Sequence, residues 1–88
     1  MKIDYTLIPE HCRDGMRQWI EQGEQPGDFL SAVLCNNLSR AVGRADGVNR
    51  AALHNYVKFL YNDIPSAAWG SWEACRAWAA RFGKDFRG

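Results

Sequence analysis

Apolar residues recur at intervals of three and four along most of the chain, and the runs are separated by Pro, Gly, Ser and Asp. Cys12, Met16, Trp19 and Ile20 stand at helical spacing and predict a helix from Pro9 to Gln22. Pro9 suits a first helical position, where its missing N–H costs nothing. Glu10 adds negative charge to the first turn, and Gly23 offers a left-handed stop. Gly15, inside this helix, costs about 1 kcal/mol relative to Ala and lets another group come close. A second helix is predicted from "QPGDFL" onward. Pro26 suits its first turn, Asp28 complements its dipole, and Phe29, Leu30, Val33, Leu34, Leu38, Ala41 and Val42 form one stripe of roughly four turns.

A third helix begins near Asp46, a good N-cap, with Leu53, Tyr56, Val57 and Leu60 on its inner face. It ends at Tyr61-Asn62, because the Ile64-Pro65 step disfavours helix at Ile64. A fourth opens on Ser71 as N-cap, with Glu73 in the first turn. Trp72, Cys75, Trp78, Ala79 and Phe82 repeat at three and four, and Gly83 closes it. "KIDYTLI" alternates, but a lone strand has no partner. The predicted fold is therefore all-α, a compact bundle of four short helices. Its predicted core is Trp19, Phe29, Leu34, Leu53, Val57, Leu60 and Trp78. Residues 1–7 are read as an N-terminal arm and residues 84–88 as a frayed tail.

Length narrows this picture to a single domain of 88 residues. A chain this short buries only about 60–65% of its unfolded surface, which leaves little room for a separate catalytic cleft. Apolar residues at 47% and aromatics at 12% suffice for a core without disulfide or metal staples. No apolar run approaches the roughly 18 residues of a membrane span, and "MKIDYTLIPEH" lacks the apolar region of a signal peptide. A soluble, cytoplasmic protein without membrane contact is expected. The net charge of +1 steers the chain toward neither nucleic acid nor anionic lipid. Eight of the eleven basic residues are Arg, whose planar fork grips carboxylate or phosphate at two points. Cys12, Cys35 and Cys75 are odd in number and widely spaced, with no C-x-x-C pair and no His at ligand spacing. They are expected to be buried reduced thiols, with no zinc site and no cofactor.

Motifs for catalysis are absent. There is no Gly-rich phosphate loop after a strand and no G-x-S-x-G. His11 and Cys12 are neighbours on a helix, pointing about 100° apart, and cannot act as base and nucleophile. The chain is read as no enzyme. "AVGRADGVNRAALHNYV" raises a DNA-binding alternative. Gly47-Val48-Asn49 would be the turn of a helix-turn-helix, with Arg50, His54, Asn55 and Lys58 presented to the bases. Asp46 stands where that motif needs an apolar residue, and the chain is nearly neutral.

A third constellation is polar and aromatic. Asn36, Asn37 and Arg40 lie on the second predicted helix, Tyr61 and Asn62 close the third, and Trp69 and Ser71 open the fourth. Side-chain amides offer donors and acceptors together, Trp offers a stacking face, and Arg a phosphate or carboxylate grip. These seven residues suit a nucleotide-like ligand or a protein hot spot. The same residues also serve as caps and braces in an ordinary bundle. Trp69 and Trp72 cannot both be central, so one is expected near the surface. A partner, a ligand or a second copy of the chain would cover it.

Pro9-Glu10-His11, Pro26-Gly27 before Phe29-Leu30, Ala32-Val33-Leu34, Asn36, Leu38, Ala45-Asp46, Asn49, Tyr61-Asn62, Pro65, Trp69-Gly70-Ser71 and Trp78 form a pattern over about residues 8 to 78. It resembles a family of small proteins encoded by bacteriophages and prophages. The chain departs from that pattern at Asn37, where an acid is expected, and at Ala68, where a Cys is expected. The resemblance implies a phage accessory protein that works by binding. Such a protein blocks or modulates host machinery or defence by contact with a host protein or a signalling nucleotide.

Overall fold

The computed structural model describes residues 3–87. Its elements are a 3-10 turn at Tyr5–Leu7, then α1 (Glu10–Gln22), α2 (Asp28–Leu34), α3 (Leu38–Arg44), α4 (Gly47–Ala51) and α5 (Leu53–Asp63). A second 3-10 turn at Ser66–Ala68 and α6 (Trp72–Ala80) follow. The described residues form no strand. The all-helical class stands, but the count of four becomes six α-helices among the described residues. Two predicted helices are each broken once.

The first break is at Asn36, which adopts φ 60. Asn tolerates the left-handed region better than other L residues do. Asn37 then starts α3 as its N-cap, its Oδ1 accepting from the Arg40 N–H at 3.1 Å. The chain turns, so the stripe from Phe29 to Val42 is not continuous. Phe29, Leu30, Val33 and Leu34 are buried, whereas Leu38 and Val42 emerge on the surface. In an uninterrupted helix Asn36→Ala would be stabilising. Here it is expected to cost about 1 kcal/mol, because Ala pays the left-handed penalty, while Asn36→Gly leaves stability close to unchanged. Urea midpoints of the two variants test this.

The second break, at Ala52 (φ −99, ψ 5), bends α4 into α5. Asp46 caps α4 as expected, its Oδ1 accepting from the Asn49 N–H at 2.7 Å. That bond, and then the nearby His11, holds the Asp46 carboxyl below the usual carboxylate range. Asn49 is buried, and its Oδ1 accepts from the Tyr56 hydroxyl at 2.6 Å and the Cys12 thiol at 3.5 Å. This amide ties α1, α4 and α5 together.

The core is built on Trp19, which is fully buried. Its Nε1 donates to the Ala68 carbonyl at 3.0 Å, and its own carbonyl accepts from Trp78 Nε1 at 3.0 Å. Gly23 ends α1 at φ 67, with its N–H on that same carbonyl. The close approach expected at Gly15 comes from α2: a Cβ there would stand 3.3 Å from Leu30 Cδ1. Of the predicted core, Trp19, Phe29, Leu34, Leu60 and Trp78 are buried and Leu53 is half-buried. Val57 is 50% exposed, and Phe59 takes the inner position instead.

The tail is the largest departure. Expected to fray, it folds back onto the core. Phe86 is buried against Trp19, ring centroids 5.2 Å apart. Gln25 clamps the backbone of Arg87, its Oε1 accepting from the Arg87 N–H at 2.8 Å and its Nε2 donating to the Arg87 carbonyl. Lys84 pairs with Glu24 at 2.7 Å. At the other end Tyr5 is buried against Phe59. Residues 1–2 and 88 of the predicted arm and tail lie outside the described residues. No helix of the described chain is long and apolar enough to cross a membrane.

Candidate functional site

The connector from Pro65 to Ser71 is pinned where α2 ends: the Gly70 N–H donates to the Leu34 carbonyl at 2.7 Å. This brings Trp69 and Ser71 beside the start of the Asn36-Asn37 turn. Ser71 caps α6, its Oγ accepting from the Ala74 N–H at 3.0 Å, so its hydroxyl is engaged within the fold. Trp69 is half-buried, packed against the core on one side and edge-on to Tyr61 on the other, at 5.0 Å and 80°. Its indole N–H is buried and has no acceptor among the described residues. Tyr61 itself is 74% exposed.

Three of the seven sequence-predicted residues, Asn36, Asn37 and Arg40, line hollows on two surfaces, while Tyr61, Asn62, Trp69 and Ser71 line neither. On the first, Leu53, Val57 and Tyr61 follow one another at four-residue spacing along α5. Leu38 of α3 is 71% exposed and shares a shallow groove of about 60 Å³ with Leu53 and Val57, which Tyr61 does not line. Asn36 and Asn37 line this groove and Tyr56 lies in its floor. Asn62 is exposed in the last turn of α5 but lines neither surface's hollow.

On the second, Asn37 and Arg40 border a cleft of about 460 Å³ that Trp72 and Arg87 also line. Of the two candidate indoles, Trp72 is the more accessible, 40% exposed. As the first residue after the cap it projects from the helix end. Arg76 covers its far face, 4.7 Å from the ring centroid. Ala32 and Cys35 also line the cleft. Burial pushes the Cys35 thiol up, so it is protonated at neutral pH. Cys12, Cys35 and Cys75 are all free thiols; Cys12 and Cys75 are buried and Cys35 half-buried.

Sequence reasoning did not anticipate Leu38 and Val57 at the surface or Gln25 and Arg87 at the cleft, and it left Trp72 as one of two indoles expected near the surface. The signal for Trp72 was its place directly after Ser71. For Arg87 there was none beyond the Phe beside it.

The turn that a helix-turn-helix needs at Gly47-Val48-Asn49 is the opening of α4, with Asn49 buried. Arg50 directs its guanidinium to the Ala45 carbonyl at 3.3 Å. His11 meets Asp46 at 3.2 Å, away from the Cys12 thiol's bond to Asn49. No group of three or more His, Cys, Asp or Glu among the described residues is arranged to hold a metal ion. Comparison of the chain with protein-family models, curated proteins and solved structures finds no match in any of the three.

Proposed function

We propose that this chain is a binding module, not an enzyme. In this reading it is a phage-type accessory protein that modulates host machinery or defence by docking on a host protein. The observation that carries the reading is the apolar face of α3 and α5. Leu38, Val57 and Tyr61 are 71, 50 and 74% exposed on two neighbouring helices. A contiguous apolar patch rimmed by polar groups marks an interaction site more often than scattered exposed residues do. The rim here is Asn36 and Asn37, whose amides satisfy a partner's backbone edge. Tyr61, braced edge-on by Trp69, is the kind of semi-rigid aromatic anchor that dominates interface energetics. Cys35, its thiol pushed up by burial, is not an activated nucleophile, which needs a lowered thiol pKa.

A tagged chain incubated with bacterial host extract is expected to retain a discrete protein and to run alone as a monomer by light scattering. Tyr61→Ala and Leu38→Asp each weaken that retention by at least about tenfold, the loss of a typical hot spot. A dimer that Tyr61→Ala dissociates, or capture that neither variant changes, overturns the reading.

A further inference from the structure

The cleft between α2, α3, the start of α6 and the tail is a separate feature. From it we infer that the chain binds a nucleotide, with the phosphate between Arg40 and Arg87 and the ring on Trp72.

Size comes first. At about 460 Å³ the cleft falls inside the range of roughly 300–1,000 Å³ that small-molecule sites occupy. Charge comes second. Arg40 and Arg87 both line it, and neither has a carboxylate within salt-bridge distance among the described residues. With Asp28 the one carboxylate residue in its lining, the cleft keeps a net positive charge that favours an anion. Arg forks match phosphate oxygens at two points each. Both are positioned by the backbone. Asn37 caps the helix that carries Arg40, and Gln25 holds Arg87 by its N–H and carbonyl.

The ring side is equally specific. Trp72 lines this cleft and also the hollow behind it, and Arg76 lines only the hollow behind. Arg76 thus occupies one face of the indole and stays out of the cleft. Stacking a base on an aromatic side chain is tolerant of base identity. Asp28, also in the cleft wall, is held only loosely by Arg44 at 3.8 Å. Its carboxylate is an acceptor for ring N–H donors, which guanine presents and adenine presents less well. The Asn37 amide N–H groups, not used by the cap, add donors.

This inference does not rest on the docking face. Among the described residues Ala32 and Asn37 line both hollows, and Tyr61 and Leu38 do not line the cleft, so Tyr61→Ala and Leu38→Asp leave nucleotide binding unchanged, and the two readings fail separately.

Calorimetric titration with guanosine 5′-monophosphate, followed in parallel by tryptophan emission, is the test. Binding is expected, with guanosine and ribose 5-phosphate each weaker by about a hundredfold or more. Arg40→Gln and Arg87→Gln are surface changes that keep the fold, checked by unchanged melting temperature, and each weakens binding by about tenfold or more. Trp72→Ala weakens it comparably and removes the quenching. Adenosine 5′-monophosphate binds more weakly than the guanine nucleotide, and Asp28→Asn removes that preference. A guanine tetranucleotide separates the sources: tighter binding supports a strand end, and equal or weaker binding supports a free nucleotide. No heat and no quenching up to about 1 mM, or binding that ignores both Arg variants, overturns the proposal.

Discussion

Trp19→Ala is expected to remove most of the stability of this protein. Truncating a buried Trp costs about 3–5 kcal/mol through lost transfer energy and the cavity left behind. A chain of this length holds only about 5–10 kcal/mol in total. The local geometry pushes the loss to the upper end. The indole is fully buried and packs against the Phe86 ring at a tilt of 57°. Its N–H serves the Ala68 carbonyl at 3.0 Å, which keeps only a long contact of 3.9 Å from the Cys75 thiol once the indole is gone. An orphaned buried carbonyl adds about 1–3 kcal/mol. For a domain of this size each kcal/mol moves the melting temperature by about 4–8 °C, so a fall of roughly 15–30 °C is expected by circular dichroism. Trp19→Phe separates the contributions. It keeps much of the packing, loses the hydrogen bond, and is expected to fall less than half as far. A drop of only a few degrees for Trp19→Ala would mean that α1, the Ser66–Ala68 turn and the tail do not meet on this ring.

What the sequence made legible follows from which physical signals are local. The caps are local: Asp46 and Ser71 each need only a side-chain oxygen two or three residues before an unpaired N–H, and both were readable. So was the stop at Ile64, set by the next Pro ring. The break at Asn36 was not, because Leu38 and Val42 continue the helical period after it. Periodicity records spacing and is blind to a single residue turning left-handed. On α5 the failure is different. Tyr56, Phe59 and Leu60 form the buried face, and Leu53, Val57 and Tyr61 form a second, outer face. The two lie side by side on the helical wheel, so the predicted inner face mixed Tyr56 and Leu60 with Leu53 and Val57. That mixing placed part of the proposed docking surface in the predicted core. Among the indoles, the sequence places one of Trp69 and Trp72 near the surface without saying which, and groups Trp69 with the polar cluster. The connector is pinned by Gly70 to Leu34, which draws Trp69 inward and leaves Trp72 at the cleft. Fold class was thus within reach of pattern, while the division of the site into two surfaces depends on tertiary pairings that no pattern carries.

Phe86→Ala carries the second large effect, and it decides whether the tail is part of the fold. A frayed tail predicts a change within about 0.5 kcal/mol, as for any surface substitution. The structure predicts a loss of roughly 2–4 kcal/mol, somewhat below the usual figure for a buried Phe. The reason for the reduction is that a chain end can leave. Without the ring, residues 84–87 are held only by the Gln25 clamp, the Lys84–Glu24 pair and a Lys84 N–H bond to the Ala79 carbonyl. Hydrogen bonds of this kind are worth about 1 kcal/mol each, and an exposed ion pair less. The tail therefore detaches instead of leaving a void, and Trp19 gains water where the ring stood. Three readouts should move together: a lower melting temperature, a red shift in tryptophan emission, and loss of hydrogen-exchange protection at the Arg87 amide. Gln25→Ala gives the contrast, releasing Arg87 with a loss of only about 1–2 kcal/mol while Phe86 stays docked. Trp19→Ala and Phe86→Ala combined are expected to cost less than their sum, since each removes the other's partner. Additive losses would place the two rings in separate environments. Detachment of the tail also takes away the wall that Arg87 gives the cleft, so Phe86→Ala should weaken nucleotide binding at temperatures where the helices remain folded.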